Sequence, residues 1–279
     1  MMLAPPSQAT ARLDRLLQRQ TGQHLSEGRR WRIETSLRPL MRARGFTTLD
    51  QLVDAIAADP AGALETAAID ALLNHESFFF RDHAVFGALA DRVLPHIHAA
   101  ATGRVLRIWS AGCSTGQEVY SIAMILRKMG AMWDGWRIDI LATDVSPIAI
   151  EKARRGVFSQ MDMQRGLPIN ELLRWFTPVG GDWRISDDLR GMIDFQPDHL
   201  LEPRRVSGTF DLILCRNMLF YFPAAQRRLA CLELARRARP GGFLVLGAGE
   251  TLMGQETGFT NCRDMSCVYR AEDGRPLPS

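Results

Sequence analysis

The N-terminal third of the chain carries apolar residues at helical spacing. Positions three and four apart are apolar first over residues 33–41 and again over residues 49–56. Because this spacing places the apolar side chains on one face of a helix, an all-helical region is predicted from residue 11 to about residue 94. Within it, Thr48 and Gln51 have the spacing of a capping box, which predicts a helix that begins just after Thr48.

After Gly103 the pattern changes to short apolar runs that alternate with helical stretches. The runs RVLRIWS and RIDILATD are each followed by a helical pattern, and FDLILCRN and GGFLVLGAGE flank an amphipathic stretch. Strands that alternate with helices form parallel sheets with crossover helices, so an α/β domain is predicted. Between these runs, residues 176–195 contain WRI, a polar SDD and MIDF, which predict short antiparallel strands inserted in that domain.

Composition adds the broad class of protein. The 279 residues are 46% hydrophobic and 23% charged, which is typical of a globular protein. No apolar run is long enough to cross a bilayer, and MMLAPPSQAT lacks the features of a secretory signal, so a cytoplasmic protein that is not membrane-inserted is expected. Five cysteines without CxxC or zinc-finger spacing predict reduced thiols and no metal site.

The charge is unevenly distributed, although its net value is only +3. Six arginines and one acid lie between Arg29 and Arg44, which we call the basic stripe, and the next segment through Glu76 has six acids and no Lys or Arg. Within the basic stripe, Arg38 and Arg42 are four residues apart and share one predicted helix face. Aromatic residues do not alternate with basic ones outside the stripe, so no nucleic-acid partner is expected.

The first predicted strand ends in SAGCSTG and leads into a helix, where an open α/β sheet binds its ligand. Glu118 in the first turn of that helix is a candidate acceptor for a ligand ammonium group, and Asp144 at the end of the second strand is a candidate for two ribose hydroxyls. The structural alternatives are tight packing for the small residues of the turn and helix capping for Glu118. Because GxGxxG and GxxxxGK[ST] are absent, the pattern favours S-adenosylmethionine over NAD or ATP.

Five ordered blocks carry a resemblance to a known family. They read HESFFFR, SAGCSTGQEVYS, ATDV, HLL and FDLILCRNMLFYF. In order and spacing they resemble the chemotaxis receptor methyltransferase (CheR-type protein-glutamate O-methyltransferase) family, whose segments read approximately NETxFFR, SAGCSTGEEPYS, ASDI, NLL and FDxIxCRNVxIYF. The resemblance covers most of the chain.

The resemblance implies a helical domain over residues 1–90 and a Rossmann-like class I methyltransferase domain over residues 91–279. A small antiparallel β-subdomain is expected at about residues 176–195. The implied cofactor is S-adenosyl-L-methionine, with S-adenosyl-L-homocysteine as the product. Residue by residue, the implied cofactor contacts are His75, Ser77, Arg81, Glu118, Asp144, His199, Leu200, Arg216 and Asn217.

Three positions depart from the family pattern. His75 and His199 stand where the family usually has asparagine, and Gln117 replaces the first glutamate of GEEPYS. A neutral imidazole has one donor and one acceptor and so can imitate an amide, although its shape differs. Asn74 is an alternative source of the amide at the first of these positions.

The implied reaction is methyl-ester formation on glutamate side chains of a bacterial chemoreceptor. Arg81 is the predicted residue that orients the incoming carboxylate, and Tyr221 is expected near the transferred methyl group. The cytoplasmic helical region of a methyl-accepting chemoreceptor is the expected partner, docked on the basic stripe at Arg38 and Arg42. A receptor-tail peptide at the β-subdomain is a further possible contact, as in some family members.

Structural readings compete with these roles. Phe78 to Phe80 could be a hydrophobic seam, Arg81 an ion-pair partner of Asp82, Tyr221 a core residue with a satisfied hydroxyl, and the basic stripe a solvated face. Two other functions also stay open. One is a methyltransferase of the same fold acting on another acceptor, and the other is a cofactor-binding sensor without turnover.

Overall fold

The computed structural model describes residues 7–25, 30–252, 257–263 and 265–272. The chain divides into two compact units, one within Met1–His75 and Tyr221–Gln226, the other within Glu76–Phe220 and Arg227–Ser279. The division after His75 lies earlier than the expected boundary near residue 90. None of the helices in the described ranges has both the length and the apolar character needed to cross a membrane.

The first unit is helical. Its four helices are α1 (Gln8–Thr21), α2 (Arg30–Arg44), α3 (Leu49–Ala58) and α4 (Ala63–Leu72). The predicted capping box is confirmed, because the Thr48 hydroxyl accepts a hydrogen bond from the Gln51 amide and the Gln51 side chain accepts one from the Thr48 amide. Apolar side chains of all four helices form one core that contains Leu13, Ile33, Leu37, Leu52 and Ala68.

The second unit is built on a large sheet. Its strands are β1 (Val105–Ala111), β2 (Arg137–Asp144), β3 (Val157–Phe158), β4 (Phe176–Val179), β5 (Asp182–Ile185), β6 (Ile193–Pro197), β7 (Phe210–Cys215), β8 (Ala238–Leu246), β9 (Phe259–Asn261) and β10 (Val268–Ala271). Its helices are α5 (His83–Ala88), α6 (Leu94–Ala100), α7 (Gln117–Met129), α8 (Pro147–Arg155), α9 (Gln160–Met163), α10 (Ile169–Trp175), α11 (Asp187–Arg190) and α12 (Ala224–Arg237), of which α12 begins in the segment assigned to the first unit.

Seven strands form the main sheet in the order β6-β2-β1-β7-β8-β10-β9. The first five run parallel to their neighbours, and β10 pairs antiparallel with β8 and β9. The predicted parallel sheet is therefore confirmed. The order of the strands reverses between β1 and β7, and ligands of open α/β sheets bind at the carboxyl ends of the strands at such a point.

The segment from α5 to α6 belongs to the second unit because its apolar face is buried there. A π-helical turn over Leu89–Val93 joins the two helices. Phe86 and Leu89 lie in the same core as Ile108 of β1 and Leu212 of β7. Residues 83–100 therefore pack with the sheet of the second unit.

A second, smaller sheet has three antiparallel strands in the order β3-β5-β4. The prediction of antiparallel strands around WRI is confirmed by β4 and β5. The same prediction for MIDF is wrong, because Ile193–Pro197 pairs in parallel with β2 in the main sheet. The alternation of apolar side chains reveals a strand but not the sheet to which it belongs.

Candidate cofactor and active site

The predicted ligand turn lies where β1 ends and α7 begins. Gly112 and Gly116 have φ values of +80° and +94°, and the amides of Gly112 and Cys113 donate to the Thr143 carbonyl at 2.8 and 2.9 Å. A Cβ on Gly112 would lie 2.5 Å from the Met218 sulfur. Glycine is therefore needed at this position both for its backbone conformation and for the close approach of Met218.

Asp144 ends β2 beside this turn. The Ser114 amide donates to its Oδ2 at 2.8 Å, and the Ser146 amide donates to its Oδ1 at 2.9 Å. Two backbone amides from different loops therefore hold the carboxylate at the end of the strand. Its position at the end of β2 is the one predicted from the sequence, and acids at this position take ribose hydroxyls in nucleotide-binding α/β folds.

Glu118 lies in the first turn of α7 and is engaged by two side chains. The Ser110 hydroxyl donates to its Oε1 at 3.0 Å, and Arg216 donates from Nη1 to its Oε2 at 3.0 Å. Glu118 is thus part of an ion pair inside the second unit. It does not cap its helix through a side-chain hydrogen bond, because the residue before the helix is Gly116 and no side-chain cap is present.

Arg216 joins two carboxylates and a carbonyl. Its side chain is 1% exposed, and its Nη2 donates to Asp82 Oδ2 and to the Arg81 carbonyl, each at 2.7 Å. Its guanidinium also lies over the Phe86 ring at 5.3 Å. The buried Nε has no hydrogen-bond partner among the described residues. Because Asp82 pairs with Arg216, the ion pair between Arg81 and Asp82 that was considered from the sequence is not needed to explain either residue.

The segment 76–82 is held by a hydrogen bond to α7 and by a hydrogen bond within the segment. Phe80 and Asp82 have φ values of +51° and +61°, which non-glycine residues rarely adopt. The Phe80 amide donates to the Ser121 hydroxyl at 3.0 Å, and Arg81 donates from Nη1 to the Glu76 carbonyl at 3.0 Å. Arg81 is therefore partly buried with its guanidinium directed along its own segment.

Arg165, which was not predicted as a site residue, contacts the same segment. Arg165 forms an ion pair with Glu76 at 2.9 Å, and its guanidinium lies 4.8 Å from the Phe78 ring centre. The Arg81 guanidinium lies 5.4 Å from the same ring. Phe78 therefore contacts two cations and is not simply a core residue, whereas Phe79 is fully buried against Phe158 and Phe176.

Asn217 lies in the turn that follows β7. Its φ is +58°, and its amide donates to the Glu250 carboxylate at 2.6 Å. Gly247, the residue after β8, is packed against it, since a Cβ there would be 2.5 Å from Asn217 Nδ2. Glu250 is a second residue that the sequence reasoning missed.

His199 and Leu200 lie in the loop after β6. The Leu201 amide donates to His199 Nδ1 at 3.1 Å, which leaves the proton of the neutral ring on Nε2. The imidazole can therefore supply the donor of an amide but uses its acceptor within the loop. Leu200 and Ser77 are partly buried in the second unit.

His75 and Tyr221 belong to the first unit. His75 Nε2 lies 3.0 Å from Asp70 Oδ1 and 3.2 Å from the Asp70 carbonyl. The Asn74 side-chain amide donates to the Tyr221 hydroxyl at 2.5 Å, and the His24 amide donates to the Tyr221 carbonyl at 2.9 Å. Tyr221 as a whole residue is 9% exposed, and its hydroxyl has its hydrogen-bond partner, Asn74, inside this unit.

The buried thiols near the site are poor nucleophiles. Burial, with a further contribution from the Asp144 and Glu118 carboxylates, raises the pKa of Cys113 well above its ordinary value. Burial, together with the Glu250 charge, does the same to the pKa of Cys215. A covalent role for either thiol is therefore disfavoured. The described part of the chain has no group of three or more His, Cys, Asp and Glu side chains arranged to hold a metal.

These groups match one class of ligand. Carboxylates in the first turn of α7 and at the end of β2, a buried guanidinium whose Nε has no partner among the described residues, and a glycine turn suit a molecule with a diol and an aminocarboxylate. S-Adenosylmethionine has both groups.

Comparisons with known proteins agree with this chemistry. The CheR methyltransferase, SAM binding domain matches residues 75–268, and the CheR methyltransferase, all-alpha domain matches residues 8–73. Chemotaxis protein methyltransferase Cher2 of Pseudomonas putida is 34% identical over 249 residues, which are 85% of this chain and 88% of that protein. The chemotaxis protein methyltransferase of Vibrio parahaemolyticus is 34% identical over 255 residues, which are 89% of this chain and 91% of that protein.

A solved structure, that of the N-methyltransferase NodS from Bradyrhizobium japonicum in complex with S-adenosyl-L-homocysteine, is 21% identical over 60% of this chain and 59% of that chain, with a TM-score of 0.33. The two domain matches together confirm the predicted fold class, the S-adenosylmethionine cofactor and the methyltransferase activity. The chain belongs to the CheR methyltransferase family, whose members are S-adenosylmethionine-dependent methyltransferases of chemotaxis.

Proposed function

We propose that the protein transfers a methyl group to glutamate side chains in the cytoplasmic helical region of a chemoreceptor. The observation that carries this proposal is that Arg216 donates both to the Arg81 backbone carbonyl and to the Glu118 carboxylate. These bonds join the backbone of the residue proposed to receive a substrate carboxylate to the carboxylate proposed to hold the cofactor. The names of the relatives from Pseudomonas and Vibrio, both chemotaxis methyltransferases, support the choice of a chemoreceptor as the acceptor.

The chain's own groups would hold the cofactor in distinct ways. Asp144 would accept hydrogen bonds from the ribose hydroxyls, and Glu118 would accept one from the ammonium group. Asn217 after β7, together with His199 and Leu200 after β6, would contact the base of the cofactor. Ser77 would provide one further cofactor contact. His75 is the least supported contact, because its ring is engaged by Asp70.

When bound, S-adenosylmethionine supplies an electrophilic methyl group. A substrate glutamate has an ordinary pKa of about 4.3 and is ionised at neutral pH, so the protein needs no general base. Its task is to align the incoming carboxylate and remove water from it. Arg81 would orient the carboxylate, and its bond to the Glu76 carbonyl would limit how tightly it binds the ground state.

Substitution of Arg81 tests this assignment. We expect Arg81→Ala to lower kcat by at least about tenfold, since a charge-assisted hydrogen bond contributes about 1.5–3 kcal/mol. Arg127→Ala, which removes an exposed arginine paired with Asp188 in the same unit, is the matched control and should keep full turnover. An Arg81→Ala enzyme with the kcat and cofactor affinity of the wild type would exclude the role.

The basic stripe is the proposed docking surface for the acidic receptor helices. In α2, Arg38 and Arg42 are exposed on the side opposite the buried Ile33 and Leu37. Arg29 lies outside the described residues. Complementary charge chiefly raises the association rate, so the effect should appear in the receptor KM and in its dependence on salt.

A charge-reversal experiment can isolate the stripe. The pair Arg38→Glu and Arg42→Glu should raise the receptor KM by about tenfold at low salt and reduce the salt dependence. Arg15 and Arg19 of α1 are also exposed and four residues apart, so Arg15→Glu with Arg19→Glu makes the same change of charge elsewhere in the unit. Equal effects of the two pairs would exclude the basic stripe as the docking surface.

A receptor-tail peptide at the smaller sheet is proposed as an additional contact. β4 lies at an edge of that sheet and carries the exposed Val179, so an extended peptide could add to it as a further strand. Titration with peptides from receptor C-termini would reveal binding, and its absence for every receptor of the host would reject the contact. Because the substrate region of such receptors is cytoplasmic, we also place the enzyme in the cytoplasm.

A further inference from the structure

A buried carboxylate supports the turn that carries Asn217. Glu250 follows β8 and is 8% exposed. Its two oxygens accept four backbone amides, those of Asn217 at 2.6 Å, Met218 at 2.8 Å, Leu219 at 2.7 Å and Gly247 at 2.9 Å. No other part of the site described above receives so many main-chain bonds from one side chain.

The turn after β7 needs such an acceptor. Successive amides of residues 217–219 point to the same place, an arrangement that binds anions. Asn217 also has a φ of +58°, in the left-handed region that non-glycine residues rarely adopt, although asparagine does so more readily than most. The Glu250 carboxylate supplies the anion from within the protein and thereby selects this conformation of the turn.

The neighbouring turn also restricts Asn217 sterically. A Cβ on Gly247 would lie 2.5 Å from Asn217 Nδ2 and 2.8 Å from its backbone nitrogen. The next glycine, Gly249, has nothing within 4 Å of the same hypothetical atom. The turn after β8 therefore fixes both the backbone and the side chain of Asn217.

We infer that Glu250 is a positioning residue for cofactor binding, acting through Asn217. The inference rests on the proposed function, which assigns Asn217 to the cofactor shell. Glu250 has no cofactor contact in this account. Glu250 binds the backbone amide of Asn217 and thereby holds the Asn217 side chain in its binding orientation before the cofactor arrives. No free energy of binding is then used to order the turn.

Replacing Glu250 by glutamine tests how much the second carboxylate oxygen contributes. The amide of Glu250→Gln has a similar shape but only one acceptor atom, so part of the four-bond arrangement loses its acceptor. We expect the Kd for S-adenosyl-L-homocysteine, measured by calorimetry, to rise by about tenfold or more. In turnover, the cofactor KM should rise while the receptor KM stays within about twofold of the wild type.

Asp211 provides a matched control at the other end of β7. It is 6% exposed and accepts hydrogen bonds from the Arg107 amide and from Arg239. Asp211→Asn therefore also neutralises a buried, hydrogen-bonded carboxylate in the same strand region. It should lower the melting temperature to a similar extent as Glu250→Gln but leave the Kd unchanged.

A pair of glycine variants reaches the same turn without altering the carboxylate. Gly247→Ala should weaken binding of S-adenosyl-L-homocysteine by displacing Asn217, whereas Gly249→Ala should not. This pair decides the question if Glu250→Gln does not fold. Wild-type affinity in folded Glu250→Gln, equal weakening by Asp211→Asn, or equal affinities of the two glycine variants would each overturn the inference.

Failure of the proposed function would give a different result. Because the calorimetry uses only the product of the cofactor, it does not depend on the identity of the methyl acceptor. A wild-type protein that binds S-adenosyl-L-homocysteine but does not methylate receptors would contradict the proposed acceptor and leave the role of Glu250 to be decided by the variants.

Discussion

Arg216 and Glu118 form an ion pair of 3.0 Å inside the methyltransferase unit. The arginine side chain is 1% exposed and the glutamate side chain 14% exposed, and the same guanidinium also pairs with Asp82. The pair joins the helix after the glycine turn to the segment that carries Arg81. It therefore connects the two sides of the site on which the proposed function depends.

Loss of this arginine should destabilise the protein strongly. Arg216→Met leaves two carboxylates without their partner, and breaking a buried ion pair from one side costs about 3–5 kcal/mol. Arg127→Met is the control, because Arg127 pairs with Asp188 and the two side chains are 43% and 53% exposed, and such exposed pairs contribute about 1 kcal/mol or less. Urea denaturation of the two variants would show this difference, and equal losses would contradict the importance given to burial.

Asp144 should determine cofactor affinity more than any other acid of its strand. Asp144→Asn is expected to raise the Kd for S-adenosyl-L-homocysteine by about 10- to 100-fold, since hydrogen bonds to a charged group contribute about 1.5–3 kcal/mol. Asp139 lies on the same strand, is 41% exposed and pairs with Arg137, so Asp139→Asn should bind normally. Calorimetry of both variants tests the assignment, which fails if their affinities agree.

Tyr221 should affect turnover more than cofactor binding. Tyr221→Phe removes a hydroxyl that accepts a hydrogen bond from Asn74, and we expect kcat to fall by about tenfold with little change in the cofactor KM. Asn74→Ala distinguishes a role of the hydroxyl in turnover from a packing role, because it keeps the phenol but removes its hydrogen-bond partner. If Tyr221→Phe turned over at the wild-type rate, the hydroxyl would have only a packing role.

The five cysteines should differ in their reaction with thiol reagents. Burial raises the pKa of Cys231 to about 11 and raises that of Cys113 and Cys215 well above the ordinary value, whereas Cys262 is only partly buried. At pH 8, one thiol of the native protein, that of Cys262, should therefore react quickly with the reagent. The buried thiols should react only on unfolding. Fast labelling of Cys113, located by mass spectrometry, would contradict its environment.

The same shifts have a consequence for stability. In the unfolded chain a cysteine loses its proton near pH 8.5, while the folded protein keeps these thiols protonated. The folded state therefore binds more protons above that pH, and stability should fall as the pH rises through it. Denaturation midpoints at pH 7.5 and 9.5, compared with those of a Cys113→Ser and Cys215→Ser variant, would show whether these thiols contribute to the fall.

Much of the site could be predicted because its residues lie at the ends of strands. Asp144 and the glycine turn follow apolar runs directly, so the topology of a parallel sheet brings them together without knowledge of any contact. Arg216 and Glu118, in contrast, are 98 residues apart, and their pairing has no signal in the spacing of the sequence. The antiparallel assignment of MIDF was wrong for a similar reason, since strand partners are chosen by tertiary packing.

Glu250 shows what signal could have been used. It is the acid that follows the buried β8 after three small residues, which is the same strand-end position that identified Asp144. It was missed because GAGE matches none of the family blocks quoted above. Its role depends on four main-chain contacts, which the sequence does not contain.

Transfer of radiolabelled methyl groups from S-adenosylmethionine to receptor-bearing membranes would show whether the protein methylates receptor glutamates. We expect labelling of the receptor that is released by mild base, as expected for glutamate methyl esters, and that is lost with Arg81→Ala. Binding of the cofactor without labelling of any receptor, or labelling that resists base, would contradict the proposed function.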